Sequence, residues 1–204
     1  MNELVRSVVF GGDKGGVGKT TLAYHLARYA AEQRGIPTVA LSLDLTASLA
    51  RRLHSEKGSN LVVGVAPQAR QLPCQQSIAN QLLIADYSNR PELVSLLAPR
   101  IWLFPVNCGA ALEAVLANKP ARSPSRSFVI FNDITALGKS LRRRFQERAE
   151  AGGFEIFPVD VPSSRTIRRA ESAGRSVWNV DRRADTYAAS HTLRSFCSAV
   201  LECL

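Results

Sequence analysis

Short apolar runs recur along the chain, and between them apolar residues fall three or four positions apart. The first run, Val5–Phe10 (VRSVVF), reads as a short buried strand. A glycine-rich stretch follows. Leu22, Leu26 and Tyr29 or Ala30 then recur at helical spacing from about Thr20 to Gln33, and Gly35 stops that helix. Thr38–Leu43 (TVALSL), Leu82–Ala85 (LLIA), Ile101–Val106 (IWLFPV), Phe128–Phe131 (FVIF) and Phe154–Val159 continue the series of strands. Pro105 sits near the end of its run, where a missing N–H is tolerated. Leu61–Val65 (LVVGV) has strand composition, although Gly58, Gly64 and Pro67 interrupt the pattern around it. Helical spacing covers Ala110–Ala117, a segment with the stripe Leu137, Leu141 and Phe145 ending near Gly152–Gly153, then Arg165–Ala173 and Ala184–Leu201.

Strands alternating with helices imply an α/β fold, a mostly parallel sheet with helices on both faces. Residues 1–204 are expected to form a single domain, because 204 residues suffice for one core and are few for two. Sheets of this kind bind ligands at the carboxyl ends of their strands. Asp44, Asp86 and Asn132 each follow an expected strand, at the same edge as the glycine-rich stretch.

Composition narrows the setting. No apolar run reaches the ~20 residues of a membrane span, and the first residues do not have the pattern of a secretion signal. Cys74, Cys108, Cys197 and Cys203 are scattered without a CxxC pair, which argues against a zinc or iron–sulfur site and against a disulfide framework. A cytoplasmic protein with reduced thiols is the simplest reading. The net charge of +9 favours polyanions such as nucleic acid or acidic lipid, or else serves solubility alone.

The chemistry concentrates in Lys14–Thr20 (KGGVGKT), between the first strand and the first helix. Gly15, Gly16, Val17 and Gly18 allow backbone N–H groups to turn inward around phosphate oxygens. The helix that follows directs its positive end at the same anion. Lys19 would reach the terminal phosphates, the Thr20 hydroxyl would ligate Mg²⁺, and Thr21 continues the cradle. The common phosphate-loop spacing GxxxxGK[ST] would place glycine at position 13. This chain has Asp13 there and a second lysine at Lys14.

That KGGVGKT form resembles the deviant Walker A box of the ParA/MinD family of ATPases. The resemblance implies a P-loop ATPase that binds ATP and Mg²⁺ and forms an ATP-dependent homodimer. Lys14 would reach across that dimer to the partner's phosphates; the alternative is a solvated loop lysine. Ser42–Leu49 (SLDLTASL) aligns with the family's second box. Asp44 there would orient the attacking water, or cap the following helix, while Ser42 stands in place of the family's first aspartate. Leu82–Asp86 (LLIAD) matches the Walker B strand, so Asp86 would hold Mg²⁺. Asn132 falls where family members often recognise adenine, or else it starts a turn, and Val161 and Pro162 would line the base. Catalytic roles would thus fall to Lys14, Lys19 and Asp44.

Arginines cluster at Arg142–Arg144 and at Arg165, Arg168 and Arg169. The resemblance is closest to short ParA-type partition ATPases. It implies that Arg142, Arg143, Arg165, Arg168 and Arg169 hold DNA non-specifically through its phosphates, or else that these are ordinary solvated helix faces. A nucleoid-associated ATPase is then expected, with a centromere-binding partner that stimulates slow hydrolysis and a plasmid, a chromosome or a protein organelle as cargo. The competing readings are a MinD-like membrane positioning ATPase and a metabolic P-loop ligase. The apolar stripe Leu193, Phe196, Val200, Leu201 and Leu204 has too few cations beside it for a membrane helix and is expected to dock on the protein's own core.

Overall fold

The structure is a computed structural model. It describes residues 6–43, 46–53, 60–66, 80–87, 97, 99–118, 126–132, 138–162, 164–173, 175–179 and 184–204. Seven strands form one parallel sheet: β1 (Arg6–Phe10), β2 (Thr38–Ser42), β3 (Leu61–Val65), β4 (Leu82–Asp86), β5 (Ile101–Val106), β6 (Arg126–Phe131) and β7 (Glu155–Ile156). Their spatial order is β3-β2-β4-β1-β5-β6-β7. The central strands read as continuous apolar runs because both of their faces are covered. β2, β4 and β5 are buried at every position. β3 lies at the edge, where Val62 and Val65 remain exposed. The expected strand over Phe154–Val159 shrinks to two residues, since β7 pairs only with Phe128 and Val129 in the middle of β6. Pro105 pairs with Ile130 of β6, while β1 runs beside β5 only as far as Leu103, so its missing N–H falls beyond the β1 ladder.

Period-two alternation sends neighbouring residues to opposite faces. Val8 and Phe10 pack on one side with α1 (Lys19–Arg28), α2 (Ser48–Leu53), α5 (Arg165–Ser172) and α6 (Ala184–Glu202). Val9 packs on the other side with α3 (Gly109–Ala117) and α4 (Lys139–Ala151). Helices thus cover both faces, as the alternation of elements implies. α1 continues into a π-helical turn over Tyr29–Gln33. In α6, Leu193, Phe196 and Val200 are fully buried, so its stripe docks on the core. The stripe of α4 differs. Its Leu141 is exposed and Phe145 only half-buried, and Ala149 alone is buried on that helix.

One buried group is poorly served. His25 of α1 sits edge-on to both Tyr24 and Trp178, and neither ring nitrogen finds a hydrogen-bond partner among the described residues. Burial, followed by the positive charges of Arg28 and Arg52, pushes its pKa down to about 3. The unfolded chain therefore takes up this proton near pH 6.5 while the folded chain refuses it until about pH 3. The stability that this neutral imidazole preserves is complete above pH 6.5 and is lost as the pH falls below that value. Denaturant unfolding at pH 5 should show about 2 kcal/mol less stability from this residue than at pH 7. His25→Phe should remove that share of the pH dependence. An unaltered dependence would refute the assignment.

Candidate functional site

The carboxyl ends of β1, β2, β4 and β6 converge on one edge. Phe10, Ser42 and Asp86 lie level there by register. Beyond β1 the chain enters the loop 11–18, and its shape follows from its glycines. Gly12, Gly16 and Gly18 have φ of 119°, 75° and 98°, the left-handed region that side chains resist. Gly18 is the N-cap of α1, and its αL backbone turns the chain into the helix. It carries no side-chain cap, and the first turn of α1 holds no acidic residue. The helix therefore offers its opening amides and its positive end to an anion from outside.

Side chains complete this cradle. The buried Lys19 ammonium donates to the Lys14 carbonyl at 2.8 Å, which folds the loop around it. The Thr20 hydroxyl donates to Asp86 Oδ2 at 2.5 Å, with Asp86 itself buried at the end of β4. The hydroxyl of the loop and the carboxylate of the apolar strand thus meet, as their sequence contexts suggest. One hydroxyl and one carboxylate, completed by water and by phosphate oxygens, is a donor set that suits Mg²⁺. Thr20 and Asp86 would hold that ion, and when bound it would neutralise charge on the phosphates. Val17 is buried, whereas Lys14, Gly15 and Gly16 are exposed at the rim. The Lys14 ammonium makes no hydrogen bond or ion pair among the described residues, so it stands at the surface of this protomer. Asp13, where the common motif has glycine, accepts from Asn118 Nδ2 at 2.6 Å and ties the loop to the end of α3.

Asn132 follows β6, bridges to Val161 and donates from Nδ2 to the Val17 carbonyl at 2.6 Å. Its amide occupies the space over Gly18 that a β-carbon would need. A cavity of about 140 Å³ opens between these parts, bounded by Gly16, Gly18, Asn132, Pro162, Ser164 and Arg168 among others. Asn132 and Pro162 are therefore brought to the loop.

Asp44 lies outside the described residues. Ser42, in the place of an expected carboxylate, is buried and accepts from the Ala50 N–H at 2.9 Å, which ties α2 to the end of β2. Thr21 borders the cavity beside the loop and donates to the Glu171 carboxylate at 3.0 Å, while Arg52 forms an ion pair with the same carboxylate. Glu171 and Arg52 escaped the sequence reading. The available signal was that Glu171 is the one acidic residue in α5, three positions after Arg168.

The five arginines expected to hold DNA lie on two helices, α4 and α5, which pack on opposite faces of the sheet. Arg142 makes a two-point contact with Asp160, at 3.0 and 2.7 Å, and lies over the Phe131 ring. Arg143 is exposed and pairs with Glu147 one turn along α4. Arg165, Arg168 and Arg169 are exposed on α5.

Comparison with known proteins resolves the family. Residues 8–177 match the model of the CobQ/CobB/MinD/ParA nucleotide binding domain. The chain belongs to the ParA/MinD family of nucleotide-binding proteins. No curated protein matches it significantly in sequence. Solved structures do match in fold. A Cyanothece McdA variant in complex with ATP aligns with a TM-score of 0.73 at 12% identity, over 97% of each chain. The ParA family ATPase from Chlorobium tepidum aligns with a TM-score of 0.66 at 14% identity, over 93% of this chain and 98% of that one. The Pyrococcus furiosus cell division ATPase MinD reaches 0.68 at 14% identity, over 98% of this chain and 100% of that one. Both the ParA and the MinD branch share this fold, and the matched nucleotide binding domain includes the loop 11–18.

Two glycine substitutions separate shape from space. Gly18→Ala should cost at least about 2 kcal/mol, from the left-handed φ and the Asn132 amide, and should lower the melting temperature. Gly15→Ala meets nothing within 4 Å and should stay within about 0.5 kcal/mol of the parent. Equal losses would contradict this account of the loop.

Proposed function

We propose that this chain is a ParA-type ATPase that forms an ATP-dependent sandwich dimer, binds DNA without sequence preference and hydrolyses ATP slowly until a partner protein stimulates it. The observation that carries the reading is the pairing of two lysines in one loop. Lys19 is buried inside the cradle, and Lys14 stands outside it with its ammonium directed to no group of its own protomer among the described residues. A second copy facing this rim would receive that cation at its phosphates, where charge develops as the terminal phosphoryl group is transferred. Dimerisation then depends on ATP because the nucleotide supplies the anion that the two loops share. Asp44, beyond β2, is assigned the task of orienting the attacking water.

The exposed Arg165 and Arg169 on α5, with Arg143 on α4, supply cations for phosphate contacts. Arg142, which is engaged with Asp160, would contribute by exchanging that pair for a DNA phosphate. Burial of the α6 stripe supports DNA over a membrane surface as the polyanion, since the apolar face that a bilayer would take is occupied by the core. Among the described residues no helix is long and apolar enough to cross a membrane. A nucleoid-associated partition system, with a centromere-binding partner and plasmid or chromosomal cargo, is the setting this combination suits.

Lys14→Ala should retain ATP binding, measured by calorimetry, and lose the ATP-dependent dimer in light scattering. An unchanged dimer would remove the role in trans. Random-sequence DNA should bind only with ATP and Mg²⁺, and its affinity should fall steeply between about 50 and 200 mM salt, on the order of tenfold or more. Binding indifferent to ATP or to salt would refute the DNA reading.

A further inference from the structure

The cluster Arg165, Arg168 and Arg169 reads in sequence as one basic patch, but α5 divides it. At about 100° per residue, Ile167 and Ala170 take the side facing the core, where both are buried. Arg165 and Arg169 fall roughly opposite. Ser164, Arg168 and Glu171 occupy the flank between, and this flank faces the loop 11–18. Ser164 caps the helix through the Ile167 N–H at 3.3 Å and lines the cavity beside Gly16 and Gly18. Glu171 accepts from Thr21 at 3.0 and 3.1 Å, one residue past the Lys19–Thr20 pair, and Arg52 of α2 holds the same carboxylate from the other side. α5 is therefore pinned to the start of α1, and Arg168, one turn earlier on the same flank, borders the cavity.

Among the described residues bounding that cavity Arg168 is the one with a charged side chain. We infer that Arg168, which borders the same cavity as Asn132, is a nucleotide-contacting residue that hydrogen-bonds a bound adenine nucleotide, rather than part of the DNA surface. The inference rests on the nucleotide site of the preceding sections and not on DNA binding. Arg168 shares the cavity with Asn132 and Pro162, and Lys14 is not among its lining, so the contact serves ADP and ATP alike. A charge-assisted hydrogen bond in a half-enclosed site accounts for roughly a tenfold effect on affinity.

Calorimetric titration of the full chain with ATP and with ADP, each with Mg²⁺, tests this. Arg168→Ala should weaken both nucleotides about tenfold, and Arg168→Lys should recover part of the loss. Arg175→Ala removes the same charge from an exposed position outside the cavity and should change either affinity by less than about twofold. With nucleotide saturating, Arg168→Ala should bind DNA no worse than Arg175→Ala does. Unchanged nucleotide affinity in Arg168→Ala overturns the inference. So does an equal loss in the Ala and Lys variants together with a lowered melting temperature of the nucleotide-free protein, since that marks a structural role. If the parent chain binds no DNA at all, the partition reading fails, while the nucleotide titrations still decide the place of Arg168.

Discussion

A phosphate cradle requires backbone N–H groups that no regular element consumes, aimed at one point and kept from collapsing onto a neighbouring carbonyl. The loop 11–18 meets that requirement with left-handed backbone at Gly12, Gly16 and Gly18, and with an α1 whose first turn has no side-chain cap. Such a loop holds its shape only if its surroundings over-determine it. Tyr87 and Phe104 crowd Gly11 from below, Asn132 covers Gly18, Asn118 grips Asp13, and the Lys19 ammonium closes on the Lys14 carbonyl. The rest of the fold positions these contacts, and they come from the ends of β4, β5 and β6 and of α3.

The same arrangement links the nucleotide site to the outer surface. Thr20 reaches inward to Asp86 and Thr21, its neighbour, reaches sideways to Glu171 of α5. Arg52 joins α2 to that carboxylate, and α2 is in turn fastened to β2 through Ser42. Hydrogen bonds and an ion pair thus connect the start of α1 to the helix bearing Arg165 and Arg169. The carboxylate that the family places at position 42 is absent, and the serine in its stead has a structural task.

Much of this was legible before any coordinates. The strand runs, the helices and the order of elements followed from apolar periodicity, because strands buried on both faces leave no polar positions to obscure them. The cradle and its Asp86 partner were legible because glycines, lysine and a hydroxyl at fixed spacing have few other uses. Three features do not follow from the pattern. The last strand is shorter than its apolar run, since those residues serve the core more than the ladder. Leu141 and Phe145 of α4 look like a core stripe but are left partly in solvent. Glu171 and Arg52, 119 positions apart, carry no periodic signal that they meet.

The sequence by itself determined the α/β class, the family and the glycine-rich loop with the Thr20 hydroxyl and Asp86 carboxylate that meet beside it, because these depend on local spacing and on residue types with narrow uses. The tertiary structure alone decided which arginine borders the nucleotide cavity. Arg165, Arg168 and Arg169 are equivalent in composition, and only the rotation of α5 against the core, set by Ile167 and Ala170 and locked by Glu171 on Thr21, separates a residue at that cavity from two on the open surface. Charge counts along a chain cannot carry that distinction, because direction in space arises from packing.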